Sequence, residues 1–291
     1  MPKNWSQTQI YLFLIFAMMI WGLSWTNAKI LGSYASPQVL IFWRFVFSAA
    51  ALYAILLGMG KPPIIPRRGI KYIVSGAILL SFYNYLYFRG TQIGPAGLGG
   101  VIVTTINPLI TFLLSVIIFR TVVNKRNLAG LALGLAGGLI ILKFWTFAPQ
   151  QITENSNIYF LGGAFSWAIM TLITDRSKQD LTVLDFSFWV YCLSIIFSYL
   201  FARKLNLLEI FTFDWIFWLN FLLVSLGAMA FATTVYFWGA MKLGSEKAAS
   251  FIFTVPVSAL IFSMIFLGEP LEITTIIGGS AAIIAVYLIN N

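Results

Sequence analysis

Polar and aromatic side chains recur at helical spacing inside otherwise apolar stretches of this chain. Trp21 and Trp25 lie four residues apart in one stretch, and Asn84 and Tyr87 lie three apart in another. Residues three or four apart share one face of a helix. Each pair therefore offers rings and neutral hydrogen-bonding groups to a common surface. Groups of this kind bind a solute without covalent or acid–base chemistry.

Each of these positions has a counterpart in the second half of the chain. The Tyr-Phe-x-Gly sequence that begins at Tyr87 returns 149 residues later, at Tyr236. A polar side chain is costly in hydrocarbon and should therefore point toward the interior of a helix bundle. The matched positions predict one cavity near the membrane midplane. Its candidate substrate-binding residues are Trp21, Trp25, Arg44, Asn84, Tyr87, Asn107, Trp167, Thr171, Thr233, Tyr236 and Thr254.

A structural interpretation of the same side chains stays open. Trp and Tyr near the ends of membrane spans often form interfacial belts. Ser and Thr in membrane helices often bond to their own backbone or to a neighbouring helix. The recurrence of matched positions in both halves favours the cavity for the set as a whole.

Two prolines lie within the apolar stretches at matched positions. Pro108 and Pro256 lack an amide hydrogen, and each frees the carbonyl four residues earlier, on Thr104 and Ile252. We interpret each proline as a hinge beside the cavity or as a kink that aids helix packing.

Arg44 is the one basic residue that falls clearly inside an apolar stretch. It follows Pro37 by seven residues, which places it about 10 Å from the start of its helix at 1.5 Å per residue. A guanidinium at this depth needs a carbonyl, a carboxylate or an anionic substrate as partner. Snorkelling toward the membrane surface is the alternative.

Composition excludes most other classes of protein. Hydrophobic residues make up 60% and charged residues 9% of the 291 positions, against about 25% charge in a soluble domain. The net charge of +9 is scattered between apolar runs, which argues against nucleic-acid binding. The chain has no histidine and a single cysteine, Cys192, so neither a metal nor a cofactor is expected.

The apolar runs predict an all-α membrane protein. A span needs about 20 apolar residues. The first run lacks a small-residue cleavage site and is interpreted as a retained span rather than a signal peptide. Turn residues separate ten predicted spans: 9–30, 37–58, 70–91, 96–119, 126–144, 157–175, 184–202, 214–240, 246–267 and 272–289.

Charge distribution orients these spans. With a cytoplasmic N-terminus, twelve of the 18 basic residues lie on the cytoplasmic side and five on the outer side. This bias predicts both termini in the cytoplasm. Five spans per half is an odd number, so residues 1–147 and 157–291 are predicted to form two inverted five-helix repeats.

At this point the chain resembles the drug/metabolite transporter superfamily, with two EamA-type halves. The resemblance covers nearly the whole chain. In the first half, Phe119-Arg120-Thr121 departs from the Leu-Gly-Glu of such halves. The resemblance rests on Trp21-Gly22 with Lys29, Phe42-Trp43-Arg44-Phe45, residues 94–108, Gly244-Ser245 through Pro256, Leu267-Gly268-Glu269-Pro270-Leu271 and Gly278.

The resemblance implies a carrier of small metabolites rather than an enzyme. An amino acid or a related amphipathic solute is the expected substrate, export the expected direction and a bacterial inner membrane the expected location. A nucleotide derivative or a drug remains an alternative, as do a channel and a membrane-embedded enzyme. The chain is expected to act as a monomer or a homodimer in the lipid bilayer.

The sequence also limits the energy source. No Gly-x-x-x-x-Gly-Lys-[Ser/Thr] loop is present, so the chain is not expected to hydrolyse ATP. Glu269 is interpreted as part of a helix-end motif rather than a coupling site. Facilitated diffusion or exchange by alternating access is therefore expected, or coupling through a site that the sequence does not reveal.

Overall fold

The protein is described by a computed structural model that covers residues 5–121, 124–146, 155–259 and 272–290. Within these ranges it is helical throughout and contains no strand. The helices are α1 Gln7–Leu31, α2 Pro37–Gly58, α3 Ile70–Ile93, α4 Ala96–Phe119, α5 Lys125–Ile141, α6 Asn155–Ser177, α7 Val183–Ala202, α8 Trp215–Leu243, α9 Ser245–Ser250 and α10 Ile273–Asn290.

Local sequence explains where several helices begin. Pro37 occupies the first turn of α2, where the missing amide hydrogen costs nothing. Side-chain oxygens of Ser6, Thr182 and Asp214 accept hydrogen bonds from the first turns of α1, α7 and α8. The predicted bounds 37–58 and 96–119 are those of α2 and α4.

In the described residues, seven helices are long and apolar enough to cross a membrane: α1, α2, α4, α6, α7, α8 and α10. Of the others, α3 has 24 residues but is more polar, and α5 has 17. α9 continues through the 3-10 turn Phe251–Thr254 toward residues beyond 259. The protein is thus an all-helical membrane protein, and the count of ten spans stays a prediction. The Gly268-Glu269-Pro270 motif lies outside the described residues.

Contacts between connecting segments define two faces of the bundle. At the face with the α1–α2 turn, Lys29 Nζ donates to the carbonyl of Gly94 at 3.0 Å, and Tyr34 donates to Asp214 at 3.0 Å. We call it the α1–α2 face. At the opposite face, Tyr11 at the start of the chain donates to the carbonyl of Asn290 at 3.5 Å. The first and last described helices therefore begin and end at the same face.

Glycines allow α5 and α10 to pack closely. A Cβ on Gly137 would lie 2.7 Å from the carbonyl oxygen of Gly278, and a Cβ on Gly278 would lie 2.6 Å from that of Gly137. Real Cβ atoms do not approach backbone this closely. The small residues of these two stretches therefore pack against each other within the protomer.

The middle of α8 is a π-helix over Leu223–Thr233. Its wider turns free backbone carbonyls, and neighbouring helices supply donors to them. Trp21 Nε1 donates to Ala228 O at 3.1 Å, and Tyr191 Oη donates to Met229 O at 2.8 Å. The hydroxyl of Ser48 donates to Ser225 O at 2.9 Å. Side chains from α1, α2 and α7 thus satisfy the π segment.

Candidate functional site

A cavity lies at the middle of the bundle, between helices of both halves. α1 and α2 form one side, α3 and α4 a second, and α6, α8 and the segment after α9 close the rest. The lining residues are Trp21, Ser24, Trp25, Arg44, Tyr83, Tyr87, Val103, Thr104, Asn107, Trp167, Met229, Thr233, Ile252 and Val255.

The cavity is small in this structure. The space open to the centre of a water molecule is about 30 Å³. One water needs about 10–15 Å³ of such space, so the cavity has room for about two waters. An amphipathic solute can enter only when the walls move apart.

The cavity is closer to the α1–α2 face than to the opposite face. Trp25 and Tyr87 each lie six residues before their helices end at the α1–α2 face, and both line the cavity. Thr171 lies six residues before α6 ends at the opposite face and does not line it. There Thr171 Oγ1 is 2.9 Å from Tyr236 Oη, and this pair fills the space.

Aromatic rings from the two halves meet at the cavity wall. The rings of Trp21 and Trp167, which occupy matched positions, are edge to face with centroids 5.1 Å apart. Tyr236 contacts both, at 5.0 and 5.8 Å. On the other side, Trp25 and Tyr87 lie 4.8 Å apart. The wall therefore offers ring edges and faces to an apolar body.

Several polar groups of the lining are satisfied by backbone. The hydroxyls of Thr104 and Thr233 donate to carbonyls of their own helices, Gly100 O at 2.7 Å and Ala228 O at 3.0 Å. Asn107 Nδ2 donates to Ala164 O of α6 at 2.9 Å. For the hydroxyls the structural interpretation holds, although each oxygen can still accept a bond.

Arg44 lies on the cavity wall and is 5% exposed. Its Nη1 donates to Asn84 Oδ1 at 2.7 Å. The guanidinium also lies 5.4 Å from the ring of Tyr87 and 5.5 Å from that of Phe88. Its protein partner is thus a side-chain amide with two rings, which was not among the partners expected from the sequence.

The structure brings most of the predicted site residues together. Asn84, Thr171 and Tyr236 lie directly behind the wall and contact residues that form it. Thr254 is not on the wall; it ends the 3-10 turn Phe251–Thr254, and its hydroxyl donates to Phe251 O at 2.7 Å. The predicted residues on the wall itself are Trp21, Trp25, Arg44, Tyr87, Asn107, Trp167 and Thr233.

The predicted substrate-binding residues did not include the other lining residues, which are Ser24, Tyr83, Val103, Thr104, Met229, Ile252 and Val255. Tyr83 lies four residues before Tyr87, and Met229 lies four before Thr233. Extending each predicted helix face by one turn toward the start of its helix would have found Tyr83 and Met229.

The two prolines lie in different surroundings. Pro108 is inside the continuous helix α4. Pro256 follows the 3-10 turn Phe251–Thr254, so the chain is irregular one turn before it. A hinge at either proline stays a prediction.

Arg44 is the one charged residue on the cavity wall in the described part of the chain. No acidic residue lines the cavity within the described part of the chain. In the same residues, no group of three His, Cys, Asp or Glu side chains could hold a metal ion. The arrangement can surround a solute with rings, neutral hydrogen-bonding groups and one guanidinium.

A second sequence match between the halves appears beside this site. Phe42-Trp43-Arg44 in α2 corresponds to Phe188-Trp189-Val190 in α7, 146 residues later. The same interval separates Trp21 from Trp167. The two halves thus share an aromatic pair but differ at the next position.

Comparison with known sequences decides the family. The EamA-like transporter family matches this chain twice, over residues 8–143 and 155–291. The chain belongs to the EamA-like transporter family. This membership makes the protein a membrane transporter.

Relatives of this EamA-like transporter match nearly its full length. The "uncharacterized transporter YyaM" of Bacillus subtilis is 27% identical, over 95% of this chain and 92% of its own. The "probable amino-acid metabolite efflux pump" of Salmonella typhimurium is 22% identical, over 94% and 92%. A solved crystal structure with 18% identity superimposes with a TM-score of 0.74, covering 97% of this chain and 96% of the other. That similarity supports the fold alone.

Proposed function

We propose that this EamA-like transporter is a secondary carrier that moves a small amphipathic solute by alternating access. The expected solute is an amino acid or a related metabolite, and the expected direction is export from the cytoplasm. The observation that carries the proposal is the central cavity, whose wall combines matched residues of both halves. A nucleotide derivative or a drug is the alternative cargo.

Matched contacts support two inverted repeats. A Cβ on Gly90 of α3 would lie 2.6 Å from the ring of Phe160 in α6. At the corresponding positions, a Cβ on Gly239 of α8 would lie 2.7 Å from Leu14 in α1. Exchanging the halves thus converts one close contact into the other. This relation is expected of two copies joined by a two-fold axis in the membrane plane.

The pairing of whole helices follows the same exchange. α3 packs along α6, and α1 packs along α8. α5 packs on α10 and α2 on α7. The two helices of each pair are counterparts in the two halves, so exchanging the halves leaves each pair unchanged. In such an arrangement each half contributes to both walls of the cavity, so a movement of one half against the other opens it to one side or the other.

The proposed orientation in the membrane rests on the distribution of basic residues. The proposed direction of transport rests on the names of relatives. The contact between Tyr11 and Asn290 supports an even number of crossings between the first and last helices. The basic residues favour the cytoplasm for that face. With this orientation the cavity leans toward the outside. A relative named as an efflux pump supports export, and a bacterial inner membrane is the proposed location.

The test is transport by the purified chain in sealed liposomes. A panel of amino acids, carboxylates, nucleosides and drugs is screened by quenching of the intrinsic tryptophan fluorescence, and every hit is measured by counterflow. Trp21→Leu and Trp167→Leu should weaken binding of the hit about tenfold, because each removes an aromatic wall contact. Trp215→Leu is the matched control, since Trp215 is 72% exposed at the start of α8.

Two results would contradict the proposal. Normal binding by both cavity variants would exclude this cavity as the site. Flux far above carrier rates would indicate a channel. Strong acceleration by an imposed pH gradient would leave the cavity intact but replace facilitated diffusion or exchange with proton coupling.

A further inference from the structure

Arg44 is a buried cation whose protein contacts leave most of its donors free. Among the described residues its one hydrogen bond is from Nη1 to Asn84, and its Nε has no partner. A guanidinium carries five N–H donors. Asn84 is itself held in place, since its Nδ2 donates to Leu80 O at 2.8 Å. The amide oxygen therefore holds one N–H group of the guanidinium, and the residue itself lines the cavity.

No carboxylate of the described chain balances this charge. The lining residues include no Asp or Glu, and the rings of Tyr87 and Phe88 supply only a weak partner. A buried charge without a counter-ion destabilises a fold by several kcal/mol. A bound anion would remove that penalty, and a carboxylate matches the guanidinium fork with two parallel hydrogen bonds.

Packing does not require a cation at this position. The same Phe-Trp pair in α7 is followed by Val190, which is fully buried and lies off the cavity. The counterpart of Asn84 is Thr233, whose hydroxyl bonds to its own helix. The second half thus fills the matched space without charge, and only the first half carries an arginine–amide pair.

From this geometry we propose that the cargo is an organic monocarboxylate with an apolar or aromatic body. The carboxylate binds the free edge of Arg44, and the body lies against Trp21, Trp25 and Trp167. A positively charged head group would meet no counter-charge, because the described wall has no acidic side chain. The inference rests on the proposed function and narrows its substrate class.

The experiment compares 3-phenylpropionate with its neutral amide, 3-phenylpropionamide. Binding is measured by tryptophan fluorescence of the full chain in detergent, and transport by counterflow in liposomes. The wild type should prefer the carboxylate by about ten- to a hundredfold, the range for a hydrogen bond to a charged group.

Asn84→Asp is the decisive variant. It keeps the shape of the side chain and supplies a carboxylate where Nη1 already has a partner at 2.7 Å. The bond from Arg44 is kept and the charge of Arg44 is balanced, whereas the bond from Nδ2 to Leu80 O is lost. The preference for the carboxylate should therefore fall to within about twofold while amide binding stays. Arg44→Gln should also remove the preference. Ser194→Ala, which removes a 3.3 Å bond to Ala77 O away from the cavity, should keep it.

Three outcomes overturn the inference. The first is a carboxylate preference that survives in Asn84→Asp; the second is one that survives in Arg44→Gln. The third is a wild type that transports panel solutes but treats the acid and the amide alike, and in that case the carrier function stands. If no solute binds or is transported, the proposed function fails as well. Thermal unfolding of each variant separates loss of binding from loss of fold.

Discussion

Residues 42–45 and 188–191 show what the two halves share and where they differ. Both segments carry a Phe-Trp pair, and each is followed by a serine that bonds to the backbone of a helix in the other half. Ser48 donates to Ser225 O and Ser194 donates to Ala77 O. Between these shared contacts, Arg44 faces the cavity and Val190 does not. The packing positions are duplicated, whereas the cavity-facing position belongs to one half.

The third helices of the two halves, α3 and α8, differ in the regularity of their backbone. α3 is a regular α-helix along its whole length, whereas its counterpart α8 has a π segment at the cavity. At the cavity, the charged side chain therefore belongs to the first half and the π segment to the second.

Val190→Arg tests most directly whether positions 44 and 190 are interchangeable, and it should have the largest effect. Val190 is fully buried, and its Cγ2 would lie 3.1 Å from a Cβ on Gly76. A guanidinium there reaches no cavity and no partner, so we expect a loss of stability of about 3–5 kcal/mol and little monodisperse protein. Size-exclusion chromatography in detergent measures it, with Val190→Leu as the control for volume. A folded Val190→Arg protein with the wild-type Tm would show that the two positions are interchangeable.

A milder pair of substitutions tests whether the matched glycines are equally constrained. In Gly90→Ala the new methyl meets the ring of Phe160, which Gly99 also contacts closely, so the ring cannot retreat. In Gly239→Ala it meets a rotatable methyl of Leu14. Thermal unfolding should give a loss of about 1–3 kcal/mol for Gly90→Ala and a smaller loss for Gly239→Ala. The reverse order would contradict this explanation.

Arg120 offers a stabilising change. It ends α4 with φ 55° and ψ 38°, a left-handed conformation that glycine adopts without cost. Arg120→Gly should raise the free energy of unfolding by about 1 kcal/mol. Arg126→Gly, inside α5, serves as the control and should lower it; a lower Tm for Arg120→Gly would exclude strain at this residue.

The smallest effect on stability is expected from the ion pair that joins the end of α5 to the start of α10 at the α1–α2 face. Lys143 and Glu272 lie 2.5 Å apart, and the hydrogen bond from Lys143 lowers the pKa of the Glu272 carboxyl below its ordinary 4.5. The ionised form therefore stabilises the fold above pH 4.5, and this contribution is lost as the pH falls through the lowered pKa.

Both side chains are more than a third exposed, so solvent and salt weaken the pair. Glu272→Gln should flatten the acid limb of a Tm-against-pH curve slightly at low salt and leave it unchanged at high salt. An equal effect at both salt concentrations would indicate a role other than ion pairing.

The helices and half of the residues on the cavity wall follow from hydrophobic length and helical spacing. Trp21, Trp25 and Tyr87 fall on the wall because their helices stay regular around them. Thr254 does not, because the 3-10 turn before Pro256 advances about 120° per residue instead of 100° and rotates the predicted stripe away. The π segment of α8 has no sequence signature, since it depends on donors from distant parts of the chain.

Those donors give the π segment a mechanical role. Trp21, Ser48 and Tyr191 stand on three different helices, yet all three hold carbonyls within one short stretch of α8. Rotating or rewinding that stretch requires the three bonds to break in concert. Any displacement of α8 during the transport cycle is therefore transmitted to both halves at once, and partial movements are penalised.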